Sequence, residues 1–295
     1  MTYEPNESEI EGSRAPLMEH LVELRQRLII SLIALALGFG VCFIFAQDLL
    51  VFLTHPFQVA KGLTAEQHAK GSHGPFDMML TLVGVLPMPP TEPLRMVSFA
   101  PLELFFTKVK LAGIAGLALS FPIIGWQLYR FVAPGLYKRE RNAFLPFLVA
   151  SPVLFIMGAA LVYYVMLPFV MWFALGQQII GPGVTVELQA RVDDYLKLAT
   201  TLILAFGLCF QLPVVLALLG LAGIVSSDAL KAGRRFAIVG VFALAAVVTP
   251  PDPMSMISLA IPICLLYEVS IWGVRLLEGR RRKAQDGEGK DIVAA

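Results

Sequence analysis

Charge is scarce in this chain. Asp, Glu, Lys and Arg make up 15% of its 295 residues, against about 25% in a soluble domain. The net charge is only +1, so no global field draws it to nucleic acid. Cysteine is equally sparse: Cys42, Cys209 and Cys264 each lie in an apolar run. An odd count without C-x-x-C spacing excludes a disulfide framework and a thiolate zinc site, leaving small buried hydrophobes. Histidine occurs four times, and none falls in a long apolar run. His55, His68 and His73 share one connection at spacings that match no metal motif. H-E-x-x-H, G-x-x-x-x-G-K-[ST] and a Ser/His pair in catalytic spacing are all missing. The expectation is a protein that is not an enzyme and needs no cofactor or metal.

Apolar residues fill the space. They make up 57% of the sequence, with a mean hydropathy of +0.73, which indicates a polytopic membrane protein. No cleavable signal peptide is visible, because residues 1–16 are polar and acidic and the first apolar run is too long for one. Four runs approach the length of about 20 residues needed to cross the hydrocarbon core, at 28–46, 104–124, 143–166 and 195–219. Pro146 and Pro152 should kink the third. Two shorter runs follow, 236–248 and 257–272, separated by T-P-P-D-P. The first reaches only about 20 Å at 1.5 Å per residue. The pair either spans a thinned bilayer or forms a re-entrant hairpin. Residues 47–97, rich in Gly and Pro, read as a long connection, with Phe76 to Leu86 interfacial or packed on the protein.

Basic residues set the orientation. Arg14, Arg25 and Arg27 precede the first run; Arg130, Lys138, Arg139 and Arg141 lie between the second and third; Lys231, Arg234 and Arg235 lie between the fourth and fifth; and the tail is basic. The alternate connections hold only Lys61, Lys70, Arg95 and Arg191. The positive-inside rule then gives six transmembrane helices with both termini cytoplasmic. Residues 16–275 form this all-α domain, flanked by mobile polar tails at 1–15 and 276–295.

The polar stretch from Phe121 to Asn142 is the most distinctive. It carries five aromatics, a Pro134-Gly135 turn, and one acid, Glu140, among three cations. Such a loop is either a topology anchor or a recognition surface. On the helix entering the first run, Glu23 and Arg27 stand four residues apart, a spacing that allows a local ion pair. Gln211 lies inside the fourth run, where an amide suits an interhelical hydrogen bond. Intramembrane ionisable groups are few, with Glu268 the main one, so a secondary transporter of a small solute remains only as the alternative reading.

Four strings, in order, resemble motifs of the TatC family, the signal-receptor subunits of the twin-arginine protein translocase. They are H-L-V-E-L-R-Q-R-L from His20; F-P-I-I-G-W-Q-L-Y-R-F-V-A-P-G-L-Y-K-R-E-R from Phe121; A-F-G-L-C-F-Q-L-P-V in the fourth run; and T-P-P-D with L-A-I-P-I-C-L-L-Y-E after it. The resemblance spans most of residues 17–275. It implies a concave, cup-shaped bundle in the bacterial inner membrane that binds twin-arginine signal peptides of folded cargo. TatA-type and TatB-type single-span subunits and further copies of the receptor then assemble on it, in membrane lipid, and the proton-motive force drives export. It implies that Glu23 and Glu140 take the signal's arginines and that His20, Leu24, Arg25, Phe131 and Pro134 shape the site. Pro56 and Asp252 match positions of translocation or structural importance. The family usually has a glutamate where this chain has Gln211, which can donate and accept hydrogen bonds but cannot titrate. A contact to a partner helix is the role this implies for it.

Overall fold

The structure, a computed structural model, describes the backbone of residues 7–70, 75–87, 94–132, 138–181, 184–186, 188–249 and 253–293. The side chains at 19–20 and 138–148 are among those outside the description. The described chain is helical apart from a two-stranded hairpin, β1 (Ile179–Gly181) with β2 (Val184–Val186). The turn expected at Gly181-Pro182-Gly183 falls between the strands in sequence, and its last two residues lie outside the described set.

Helix α1 runs Glu7–Ile44, starting upstream of Pro16. α4, Glu103–Val132, packs antiparallel to it. Their crossing has almost no side chains in it. A Cβ on Gly116 would stand 2.7 Å from the Phe39 backbone nitrogen, and one on Gly38 would stand 2.8 Å from the Gly116 carbonyl oxygen. Buried Ser120, one turn from Gly116, donates to the Ala34 carbonyl at 2.8 Å. Small residues let two backbones approach and gain dispersion where lipid supplies no hydrophobic force.

The segment read as a loop at 47–97 is mostly helical. α2 runs Ala46–Lys70 and α3 Pro75–Leu82. Leu53, Phe57, Ala60 and Leu63 recur at helical spacing and are buried in the main core. The run was obscured because Pro56 sits inside the helix.

The third span is one helical column in three pieces: α5 (Lys138–Leu161), a π-helical turn at Val162–Met166, and α6 (Leu167–Gly176). The fourth breaks into α7 (Val192–Cys209) and α8 (Leu212–Leu221). Pro213 has no N–H for the Cys209 carbonyl four residues back, which weakens the helix where it breaks. α5 and α7 interlock ring against glycine: Phe155 fills the space over Gly207, and Phe210 that over Gly158.

α9 (Ser227–Val248) and α10 (Pro253–Val293) form an antiparallel hairpin. Both helices exceed their apolar runs, correcting the expectation of two short segments. α9 has 22 residues, about 33 Å, because its first turns continue as polar helix through Asp228, Lys231, Arg234 and Arg235. Ser226 caps the Ala229 N–H at 3.2 Å, and the Glu278 carboxylate receives the Ser227 N–H at 2.9 Å, an anion at a helix N-terminus.

Five described segments are long and apolar enough to cross a membrane: Leu21–Ile44, Glu103–Leu128, Val149–Gly176, Val192–Leu221 and Ser255–Gly279. α9 has the length, but even its last 18 residues carry three cations, Lys231, Arg234 and Arg235. Apart from the β1–β2 hairpin the described elements are helical, and the chain is a multi-pass membrane protein.

Candidate functional site

At the amino-terminal rim of the bundle, Arg27 donates through Nε to Glu23 Oε1 at 3.1 Å, and its Nη2 reaches the same oxygen. Its Nη1 reaches Gln127 Oε1 on α4 at 3.4 Å. Glu23 is therefore a carboxylate bound to a guanidinium that itself reaches the end of α4, and it is a third exposed. Leu24 and Arg25 are exposed beside it, and Phe131 is half-buried in the last turn of α4. His20 is in α1 and Glu140 in the first turn of α5, so both backbones stand at this rim; their side chains lie outside the described residues, as Pro134 does entirely. The local pair expected at Glu23 is present. Its tie to Gln127 has no short-range sequence signal, because the partners are 100 residues apart.

At the opposite rim, Pro56 is fully buried. A proline at 56 leaves the Phe52 carbonyl without its helical donor. Tyr163 supplies one: its hydroxyl donates to Phe52 O at 3.1 Å and its ring stacks on Phe52 at 4.4 Å. Tyr195, from α7, donates to Leu53 O at 2.6 Å and stacks on Phe57 at 5.4 Å. Tyr163 lies in the π-helical turn, where one extra residue re-aims the side chains. Neither tyrosine stood out in the sequence. The available signal was general: a proline inside a buried helix requires a donor from elsewhere.

The same rim is laced by ions. Glu103 Oε2 accepts from the Phe99 and Ala100 N–H groups at 2.7 and 3.1 Å, and Oε1 accepts from Arg191 at 3.3 Å. Asp193, in the first turn of α7, accepts from Thr107 and Lys110 of α4, each at 3.0 Å. Val97 and Arg191 form a parallel β-bridge between the preceding connections. Asp252 lies outside the described residues.

Gln211 caps the broken fourth span and faces α5. Its Nε2 donates to the Ser151 carbonyl at 2.9 Å, and its Oε1 accepts from the Ser151 hydroxyl at 2.6 Å. The amide is engaged within the chain and is partly exposed, with one N–H outside these two bonds. Among the described residues no group of three His, Cys, Asp or Glu side chains has metal-holding geometry.

The protein-family model described as Sec-independent protein translocase protein (TatC) matches residues 19–262. The Sec-independent protein translocase protein TatC of Magnetococcus marinus is 40% identical over 275 residues, covering 93% of this chain and 89% of that one. The TatC protein of Aquifex aeolicus is 33% identical, covering 92% and 99%. A crystal structure of the twin-arginine translocase receptor TatC in the detergent DDM superposes with a TM-score of 0.67 at 32% identity, covering 86% of this chain and 98% of that one. With a family model matching most of its length and relatives matching nearly end to end, this chain belongs to the TatC family, the Sec-independent protein translocase component of the twin-arginine system.

Proposed function

We propose that this chain is the signal receptor of its translocase, reading the two arginines of a twin-arginine signal peptide at the amino-terminal rim. The observation that carries the reading is the Glu23–Arg27–Gln127 chain: a third-exposed carboxylate already bound to a guanidinium that itself reaches the end of α4. Arginine presents a planar fork of donors that a carboxylate accepts, and a second arginine needs a second acceptor. Glu140, on the first turn of α5, is that acceptor. In this reading His20, Leu24, Arg25, Phe131 and Pro134 hold the signal's flanking residues. One arginine of the signal takes over the Glu23 oxygens from Arg27.

In this reading the rim faces the cytoplasm. Residues 16–275 form six spans, α9 and α10 included, around a concave face in the bacterial inner membrane. Segments 1–15 and 276–295 are cytoplasmic. Pro56 and Asp252 support the opposite, outer side during translocation. The remaining N–H of Gln211 meets a TatA-type or TatB-type helix, copies of the receptor associate, and the proton-motive force drives transport without catalysis by this chain.

The test is peptide affinity. A charge-assisted hydrogen bond contributes about 1.5–3 kcal/mol, so Glu23→Gln or Glu140→Gln should weaken an Arg-Arg signal peptide about ten- to a hundredfold. A Lys-Lys peptide, lacking the fork, should bind poorly to the unaltered protein and lose much less in either variant. Equal losses for both peptides would mean that the glutamates shape the rim without reading the arginines.

A further inference from the structure

The α9–α10 hairpin holds a groove of about 340 Å³ that the receptor role leaves unused. Its walls are apolar, including Ala237, Val241, Ala260 and Cys264, and its rim residues Ile238, Phe242, Ile261 and Leu265 are exposed on the face of the hairpin. One end is polar. There Arg234 Nη2 meets Glu268 Oε2 at 2.6 Å, with both side chains nearly half exposed. Tyr267 lines the same end and donates to the Leu230 carbonyl at 2.9 Å. Around this level stand exposed Phe236, with the Arg235 guanidinium 4.8 Å over its ring, and exposed Trp272. An aromatic and cationic girdle of this kind marks the headgroup level of a bilayer. The groove therefore runs from that level into the hydrocarbon.

We propose that this groove is a site for a zwitterionic aminophospholipid of the phosphatidylethanolamine class, in the leaflet on the side of the α9 N-terminus. One acyl chain lies between α9 and α10. The lipid phosphate accepts from the Arg234 guanidinium, and the ammonium donates to Glu268. Charge complementarity selects this occupant over an apolar partner helix, which offers nothing to two opposite full charges side by side. The Arg234–Glu268 contact joins one nitrogen to one oxygen. The other carboxylate oxygen and the other guanidinium nitrogens lie outside that contact and are available to a headgroup carrying both signs. An ammonium has three donors, whereas choline's methylated nitrogen has none, so ethanolamine should be preferred to choline.

Native mass spectrometry of the detergent-purified full-length protein, titrated with phosphatidylethanolamine, phosphatidylcholine or phosphatidylglycerol of matched chains, tests the site. Phosphatidylethanolamine should be retained best. Glu268→Gln should shift the preference about tenfold toward phosphatidylglycerol, since the cation is left alone, and Arg234→Gln should weaken retention of all three. Ala237→Trp, filling the groove, should abolish the tightest lipid adduct, while Val239→Trp, on an exposed position outside the lining, should leave it. A photoreactive residue at position 237 of the otherwise unaltered chain should capture deuterated phosphatidylethanolamine in vesicles of that lipid. Unchanged lipid retention by Ala237→Trp, or exclusive capture of protein at position 237, would overturn the proposal. Failure of the twin-arginine peptide test would not touch it.

Discussion

The Tyr163 hydroxyl donates at 3.1 Å to the Phe52 carbonyl, the group that an amide at position 56 would have served. Pro56 and Tyr163 thus form one unit, although the hydroxyl and its acceptor are 111 residues apart. Removing the hydroxyl leaves a part-buried acceptor without this donor, at a cost of about 1 kcal/mol. Tyr163→Phe should lower thermal stability in detergent. In a Pro56→Ala background the restored amide serves Phe52, so the same change should cost clearly less. A double-mutant cycle with zero coupling would show that the hydroxyl does not answer the proline.

The crossing of α1 and α4 gives a second test with its own control. Gly116→Ala drives a methyl against the Phe39 backbone nitrogen. Backbone cannot rotate away as a side chain does, so overpacking should destabilise by about 1–3 kcal/mol. Gly40→Ala meets nothing within 4 Å and should be neutral or slightly stabilising. Melting curves of the two purified variants decide it, and equal curves would contradict the close approach.

Gln211 separates internal from external bonding. Gln211→Leu loses both contacts with Ser151 and should lower the melting point of the isolated protein before any partner is added. Ser151→Ala removes only the hydroxyl bond, at about 0.5–1.5 kcal/mol, and should leave partner assembly intact. Gln211→Glu should export normally only where the acid is protonated, since a carboxylate cannot donate to the Ser151 carbonyl. If the leucine variant melts and assembles like the parent, Gln211 only fills space.

Orientation is read by labelling single cysteines in a cysteine-free parent. Gln189, exposed before α7, should react with an impermeant maleimide from outside, and Asp228, exposed at the start of α9, only after the membrane is opened. The reverse pattern would invert the bundle and with it the receptor face.

The apolar runs made the membrane class legible, because hydropathy integrates over many residues and tolerates local error. The rim containing Glu23 was legible as a motif, and even its bland alternative, the Arg27 pair, depended only on a spacing of four. What stayed hidden is long-range or depends on breaking a helix. α2 read as a loop because Pro56 counts against a helix unless something else satisfies Phe52, and that donor is 111 residues away. The π-helical turn at Val162–Met166 leaves no mark in an evenly apolar run. The last pair of helices was judged by apolar length alone, which stops at Phe236 although the helix begins at Ser227. Glycine at 38 and 116 is informative only once the two helices are known to cross.

The α1–α4 crossing also has a timetable. Ser120 and its acceptor Ala34 are 86 residues apart, and Arg27 and Gln127 are 100 apart. At about 5–20 residues per second of synthesis, α1 waits roughly 4 to 20 s for its partner. Throughout that interval it is a solitary span with its glycine face turned to lipid. No charged residue occurs between Arg27 and Asp48, and that purity serves the newborn chain as much as the finished one. By contrast, the Tyr267 hydroxyl and the Leu230 carbonyl are only 37 residues apart, so α9 and α10 emerge together and can enter the bilayer as a pair. A charge introduced at Ser31 or Leu35 should therefore be felt first in insertion yield, before any finished receptor exists to be assayed.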